Sequence, residues 1–240
     1  MTLDSTQTVR DIVQKYPAAV PVFEALGIDY CCGGTKSLGD ACEKQKVPLD
    51  KALKDLGEAL VVRPQKDDKR WTTAPFGELT SHIVEQHHAN AKRELPRLAA
   101  LAAKVNLKHR EAHPELDQLR ELVDAMRSEM SPHMLKEEQV LFPRLCAMEE
   151  AASNGTSLEP AFFGALINPI RHMMSDHDDT GALLKSIRAV THNYEPPADA
   201  CMSYQALYHG LSDLEKDTHL HIHLENNILF PRALEFEKAH

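Results

Sequence analysis

Long apolar runs are missing from the sequence, and this absence limits where the protein can work. None of its 240 residues belongs to a run approaching the ~20 consecutive apolar residues that a membrane-spanning helix needs. The segment from Met1 to Arg10 is polar and has no apolar centre of the kind found in secretory signals. We therefore expect a cytoplasmic protein with no membrane partner.

Positive charge is also scarce. The formal net charge is -9, and Lys and Arg do not gather in any one segment. A nucleic-acid-binding surface needs a basic cluster that faces the phosphates. We therefore expect no nucleic-acid partner.

Several catalytic motifs are missing as well. The sequence has no Gly-x-Gly-x-x-Gly fingerprint for a flavin or nicotinamide cofactor, no phosphate-cradling loop and no evident Ser-His-Asp arrangement. Hydrolase and kinase activities are therefore unsupported. If the protein performs redox chemistry, its electrons must come from a partner protein.

Cysteine is sparse, with five residues, of which Cys31 and Cys32 are adjacent. An odd number with this spacing does not form a disulfide framework, so a reducing compartment fits better. Adjacent Cα atoms are ~3.8 Å apart, which is below the usual disulfide span, so we expect free thiols. The other three cysteines are expected to serve packing.

The chain divides into two predicted domains. Residues 1–60 read as a small helical domain in which Thr8 and Ser37 begin helices, Gly27 ends one, and a tight turn carries the two adjacent thiols. Residues 61–75 have no sustained apolar period and contain two prolines, which predicts a linker. Residues 76–240 form the second predicted domain.

This second domain contains four long helical patterns, at about 76–104, 113–149, 166–192 and 202–237. Asn154-Gly155 and Pro196-Pro197 interrupt the segments between them. Long helices joined by short connections predict an all-α fold, namely an antiparallel four-helix bundle beside the small helical domain.

One stretch recurs within the bundle. The sequence from His133 to Arg144 returns as His221 to Arg232, with His, Glu, Leu, Phe, Pro and Arg at the same offsets. In each copy a Glu follows the His by four residues, so the two side chains share one helix face. A neutral imidazole beside a carboxylate suits iron, manganese or zinc, and the lack of paired thiolates here argues against a structural zinc knot.

Two histidines without a paired Glu, His88 and His177, complete the predicted site. A single His on an apolar face is more often a core residue than a ligand. Here, however, two buried Glu at repeat-related positions would be costly to desolvate without a cation. Four His and two Glu suit two ions bridged by both carboxylates. The predicted ligands are His88, His133, Glu137, His177, His221 and Glu225.

Other polar residues are assigned around this set. Glu129 and Asp217 precede the two paired histidines by four residues, and we expect them to accept from imidazole N–H groups or to line a path for protons or metal. His87, His219 and His223 point away on their helices and are left outside the site. His172 has no repeat partner and is also excluded.

These residues resemble the hemerythrin-like di-iron proteins, and more closely the RIC family, named for repair of iron centres. The family's Tyr-Cys-Cys-Gly-Gly motif is matched by residues 30–34, and its bundle ligands fall on the six residues above. The resemblance covers nearly the whole chain. It implies two non-haem iron ions bridged by carboxylates, with an oxo group as a further candidate bridge.

The resemblance also implies a function. It points to a protein of the nitrosative and oxidative stress response that repairs damaged or apo iron–sulfur proteins by donating iron. The alternatives are a protein that binds nitric oxide or oxygen without releasing iron, and an enzyme that reduces nitric oxide with electrons from a donor protein. The sequence alone does not rank them.

The adjacent thiols have two possible roles. In the first, Cys31 and Cys32 pass iron, electrons or a nitrosyl group onward, and the flanking glycines expose them. In the second, they are buried structural residues of the small domain.

Overall fold

The structure is a computed structural model that describes residues 3–62, 71–156 and 165–239, with the side chains of residues 61 and 62 excepted. Most of the predicted linker, residues 63–70, therefore lies outside the described residues. Within the described ranges the chain is helical, and an isolated antiparallel bridge joins Thr8 and Ser37. No helix in these ranges combines the length and apolar character that crossing a bilayer requires.

The N-terminal helices are short, and their ends follow the sequence. They are α1 (Val9–Lys15), α2 (Val20–Ala25), α3 (Leu38–Gln45) and α4 (Leu49–Val62), with a 3-10 turn at Pro17–Ala19. The Thr8 hydroxyl accepts from the Asp11 amide at the start of α1, and the Ser37 hydroxyl accepts from the Asp40 amide at the start of α3, both at 3.1 Å. Gly27 has φ +66° after α2, as a helix stop requires.

Four long helices follow. Helix α5 consists of Phe76–His82, Ile83–His88 and Ala89–His109 in unbroken succession, and α6 consists of Glu115–Lys136, Glu137–Leu141 and Phe142–Ser153. Helix α7 is Ile167–Val190, and α8 consists of Met202–His223, Leu224–Leu229 and Phe230–Ala239. Asn154 and Gly155 end α6, and Pro196-Pro197 lies between α7 and α8, as predicted.

The described chain divides into two compact units, and the division cuts through α5 and α8. One unit spans residues 80–218 and the other combines residues 1–79 with 219–240. The sequence-based boundaries at 60 and 75 stay predictions.

The unit formed by residues 80–218 has one apolar core to which all four long helices contribute. Leu98 of α5, Val123 of α6, Leu184 of α7 and Leu211 of α8 are all buried in it. Each helix therefore turns an apolar stripe inward. The predicted all-α bundle is confirmed.

In the other unit, helices α1 to α4 enclose a core of their own, which includes Ile12, Phe23, Leu38 and Leu56. The predicted small helical domain thus has an apolar centre.

The end of α8 packs within this same unit against the start of α5. The Arg232 guanidinium donates to the carbonyl oxygens of Trp71 and Ala74 at 2.7 and 2.6 Å and lies 5.0 Å from the centre of the Phe76 ring. Phe236 meets Phe76 edge to face at 5.5 Å. The Arg of the second Leu-Phe-Pro-Arg repeat therefore anchors residues 71–74 to α8.

Two glycines allow a direct stability test. A Cβ added at Gly34 would lie 2.8 Å from the Tyr30 carbonyl oxygen, whereas a Cβ at Gly57, within α4, would meet nothing within 4 Å. We expect Gly34→Ala to lower the free energy of unfolding by about 1–3 kcal/mol because a backbone atom must move. Gly57→Ala should raise it by about 0.5–1 kcal/mol because Gly is disfavoured inside a helix. Urea unfolding followed by circular dichroism compares the two, and equal stabilities would contradict the close-packed turn.

Candidate metal centre

Glu137 lies between two imidazoles in the unit formed by residues 80–218. Its Oε2 atom is 3.4 Å from Nε2 of His88 and 3.4 Å from Nε2 of His133. Both His88 and Glu137 have 0% of their surface exposed. One carboxylate thus faces ligand nitrogens from two helices, which is the arrangement a bridging ligand needs.

His177 of α7 joins the same cluster. Its Nε2 atom lies 3.1 Å from Nε2 of His133, and His133, Glu137 and His177 offer ligand atoms that all lie within 4.8 Å of one another. Ligands ~2.1 Å from a metal ion and at right angles to one another are ~3.0 Å apart. The spacing of these donor atoms therefore fits a shared cation.

A π-helical turn accompanies the candidate ligands in three helices. His88 ends the turn Ile83–His88, Glu137 begins the turn Glu137–Leu141, and Glu225 lies in the turn Leu224–Leu229. Such turns insert one extra residue into an α-helix and often occur at functional sites. Regular α-helical spacing along the sequence does not predict any of these three turns.

A signal for two of these turns was present in the sequence. Pro143 and Pro231 follow the second and third turns at the same offset of the repeat, and a proline cannot donate to the carbonyl four residues earlier. Phe142, just before the first of these prolines, stacks on the His88 ring at 5.8 Å. The turn Ile83–His88 has no such proline, so nothing in the sequence marked it.

Two acidic residues orient the imidazoles from outside. The His88 Nδ1–H donates to Glu138 Oε1 at 2.7 Å, and the His133 Nδ1–H donates to Asp176 Oδ2 at 3.2 Å. These bonds fix the tautomer in which the Nε2 lone pair points toward Glu137. Each ring is therefore held ready to bind a cation through Nε2.

Both acceptors are ionised. Burial opposes the charge on Glu138, but hydrogen bonds from Lys92 and His88 outweigh it and lower the pKa of this carboxyl. Burial likewise opposes the charge on Asp176, and the His133 hydrogen bond together with the Lys136 charge lowers its pKa. An anionic acceptor makes the imidazole a stronger metal ligand.

The roles predicted for Glu129 and Asp217 stay predictions, and the structure adds Glu138 and Asp176 as acceptors. Glu129 is exposed on α6, and Asp217 accepts from His87 Nδ1 and Asn90 Nδ2, both at 2.8 Å. Glu138 follows Glu137 on α6 and accepts from His88 of α5, whereas Asp176 precedes His177 on α7 and accepts from His133 of α6. Each acceptor thus lies on a different helix from the imidazole that it orients. Only the packing of the helices reveals such partners.

The excluded histidines hold other positions. His87 is buried but directed to Asp217, and both line an open cavity of about 520 Å³ with His82 and Glu85. His172 is exposed.

The second His-Glu pair lies in the other unit. His221 Nε2 is 3.0 Å from Glu225 Oε1, and both residues are buried. These two donor atoms, four residues apart on one helix, are therefore close enough for one cation to bind both.

The same turn of α8 binds the loop that carries the thiols. The Asn227 amide donates to the carbonyl oxygens of Tyr30 at 2.9 Å and Cys31 at 3.5 Å, and it donates to His223 Nδ1 at 2.9 Å. Burial lowers the pKa of His223 to about 4, so this ring is neutral and accepts the bond. Asn227 thus links the turn that contains Glu225 to the backbone of the loop that carries the two cysteines.

Cys31 and Cys32 form no disulfide, but the expectation that the flanking glycines expose both is wrong for Cys31. Cys31 is 5% exposed, whereas Cys32 is half-buried. Gly33 and Gly34 are needed for close backbone approach, because a Cβ on either would lie within 3 Å of a carbonyl oxygen of the same turn. The glycines tighten the loop instead of opening it.

Buried imidazoles and carboxylates held in helices thus define a helical cation-binding protein. These donors are the N and O ligands that first-row transition ions accept, and a cation offsets the cost of the buried carboxylates.

Comparison with known proteins agrees with this class. The hemerythrin HHE cation-binding domain matches residues 79–233, and a domain of unknown function, DUF542, matches residues 5–60. The iron–sulfur cluster repair protein YtfE of Enterobacter sp. strain 638 is 35% identical over 231 residues, which is 96% of this chain and 98% of that protein. Proteins of the same name from Citrobacter koseri and from Escherichia coli O81 are 33% identical over the same shares.

The chain therefore belongs to the hemerythrin HHE family and, within it, to the iron–sulfur cluster repair (RIC) proteins.

The role of the outer carboxylates can be tested by metal retention. Replacing Glu138 with Gln removes the anionic acceptor of His88, and we expect iron affinity to fall about tenfold or more, as is usual for such partners. Glu129→Gln, on the exposed face of α6, is the matched control and should leave affinity unchanged. Iron content after dialysis against a graded series of chelator concentrations measures both. A loss in the Glu129 variant with none in the Glu138 variant would restore the original assignment.

Proposed function

We propose that this protein repairs damaged iron–sulfur clusters in the cytoplasm by donating iron from a di-iron centre. The names of its relatives support the repair function. The observation that carries iron donation is the link through Asn227, because it attaches the loop of Cys31 and Cys32 to the turn that contains Glu225. Thiolates are the ligands that iron–sulfur clusters themselves use.

The proposed centre uses six ligands. His88, His133, Glu137 and His177 form the cluster described above, and we propose that His221 and Glu225 complete it, as the sequence repeat and the family match over residues 79–233 suggest. Four imidazoles and two carboxylates would hold two iron ions with both carboxylates as bridges. Bound iron would supply both the cargo for repair and an affinity for small gases.

The chain's own residues prepare this site. Glu138 and Asp176 keep the imidazoles in the binding tautomer, and the apolar core around the site excludes bulk water. Asp217 and His87, beside the cavity they line, are placed to pass metal or protons from solvent, which keeps the second role predicted for Asp217.

Helix α7 carries one proposed ligand, His177, and one exposed histidine, His172, which serves as its control. His177→Ala removes a buried nitrogen donor and should leave the purified protein with fewer than two irons per chain. His172→Ala, one and a half turns away and exposed, should retain both. Iron analysis together with the Mössbauer signature of coupled ions measures the outcome. Full iron in the His177 variant would remove that residue from the site.

Iron donation itself is tested by transfer to an acceptor. The iron-loaded protein is incubated with an apo iron–sulfur protein, once before and once after exposure to nitric oxide. We expect about two irons per chain to move to the apo protein. The double variant Cys31→Ser/Cys32→Ser should load the same iron and transfer it more slowly, because the thiols are not ligands of the bundle. Mössbauer spectra of both proteins follow the metal.

Other outcomes of this experiment select other functions. Iron that stays in place and binds the gas would identify a nitric oxide or oxygen scavenger. Consumption of nitric oxide only when an electron-donor protein is added would identify a reductase. Equal transfer by the double variant would refute the role of the thiols and leave the di-iron centre intact.

A further inference from the structure

A second group of metal-binding donors lies in the loop before α3, apart from the imidazoles. Asp29, Cys31 and Cys32 each offer a ligand atom, and these atoms all lie within 4.8 Å of one another. The two Sγ atoms are 3.9 Å apart, and Cys31 Sγ is 3.4 Å from Asp29 Oδ1. Two sulfurs and a carboxylate are a softer donor set than imidazoles and carboxylates.

The loop is folded so that these side chains converge. Asp29 Oδ1 accepts from the amides of Cys32 and Gly33, both at 3.0 Å, which curls the backbone around the carboxylate. The Gly34 carbonyl in turn accepts from the Arg10 amide at 2.7 Å. With Asn227 bound to the Tyr30 carbonyl, the loop is held from both sides, so the donors are placed before any metal arrives.

Charge in the loop favours a cation. The Asp29 carboxylate lies 3.4 Å from Cys31 Sγ. A cation bound here would be attracted by this carboxylate and by each thiolate that forms on binding. Cys32 is half-buried and leaves one side of the group accessible.

We propose that Asp29, Cys31 and Cys32 bind one divalent ion of the Fe²⁺, Zn²⁺ or Co²⁺ class. Tetrahedral ligands with metal–sulfur bonds of ~2.3 Å place two sulfurs ~3.8 Å apart, and a sulfur and an oxygen ~3.6 Å apart. The observed separations of 3.9 and 3.4 Å match both edges. Each thiol releases its proton to solvent as its bond to the metal forms, and the fourth position stays open for an external ligand.

This site uses none of the six proposed bundle ligands. Its test does not depend on whether the protein repairs iron–sulfur clusters. A metal held there through two thiolates has a fourth position that a cysteine of another protein can occupy. The loop would then bind metal by the same chemistry as an acceptor that uses cysteine ligands.

Cobalt is the probe, because a thiolate bound to Co²⁺ gives a charge-transfer band that imidazole and carboxylate ligands do not. The full-length protein, loaded with no more than two irons per chain so that the loop stays free of iron, is kept anaerobic and titrated with Co²⁺. We expect the band to saturate at one equivalent while the iron content stays constant. No band in this protein would overturn the proposal.

Three variants assign the ligands. Cys31→Ser/Cys32→Ser should abolish the band, and Cys201→Ser, at a thiol outside the loop, should preserve it. Asp29→Asn keeps an oxygen for the two amides but loses the charge, so Co²⁺ affinity should fall at least about tenfold, the loss expected even for an outer partner of a ligand. A band that survives in the double variant, or an unchanged affinity in Asp29→Asn, would overturn the three-ligand site.

A measurement on the unaltered chain covers the case in which the double variant misfolds. Co²⁺ at one equivalent should slow the alkylation of Cys32 by iodoacetamide, mapped by mass spectrometry, and should leave Cys201 unaffected. Equal alkylation of Cys32 with and without the metal would overturn the proposal.

Discussion

The burial of two carboxylates is the constraint on which the rest of the structure depends. Glu137 and Glu225 have no exposed surface, and their near neighbours include imidazoles, which are neutral when they act as metal ligands. Removing an ionised carboxylate from water costs several kcal/mol unless a positive charge accompanies it. A cation therefore belongs to the folded state of such a cluster, and metal binding adds directly to stability.

That constraint explains how the side chains around the cluster are arranged. The imidazoles point their Nε2 atoms inward only because Glu138 and Asp176 take the opposite N–H groups. Those acceptors are paired in turn with Lys92 and Lys136 at the protein surface. From the buried carboxylate outward, imidazoles, carboxylates and lysines thus follow one another, and each layer fixes the orientation of the next.

Much of this arrangement was predictable from the sequence, and the limit of prediction has a physical reason. The four long helices, their breaks and the His-Glu pairs follow from spacing within one element, so His133 with Glu137 and His221 with Glu225 could be read directly. The partners of His88 and His133 depend on which residues of another helix face them. Glu138 and Asp176 could not be assigned to these imidazoles from the sequence, because spacing along one helix does not report which residues of a neighbouring helix face it.

The thiol loop shows the same limit and extends the argument. Adjacent cysteines flanked by glycines suggested exposure, yet the glycines serve backbone contacts and Cys31 is buried. The proline of the second repeat lies four residues after Asn227, which contacts this loop. Because Pro231 cannot donate to the Asn227 carbonyl, that carbonyl is available to the Gln14 side chain, while the Asn227 amide holds the loop.

The π-turn that carries Glu225 is therefore also the support of the thiols. The His-Glu pair of α8 offers nitrogen and oxygen atoms, whereas the loop that this turn holds offers sulfur. The first are ligands that first-row transition ions accept, and the second are the ligands of iron–sulfur clusters. Asn227, two residues after Glu225, joins the two through one side chain that donates to the carbonyl oxygens of Tyr30 and Cys31.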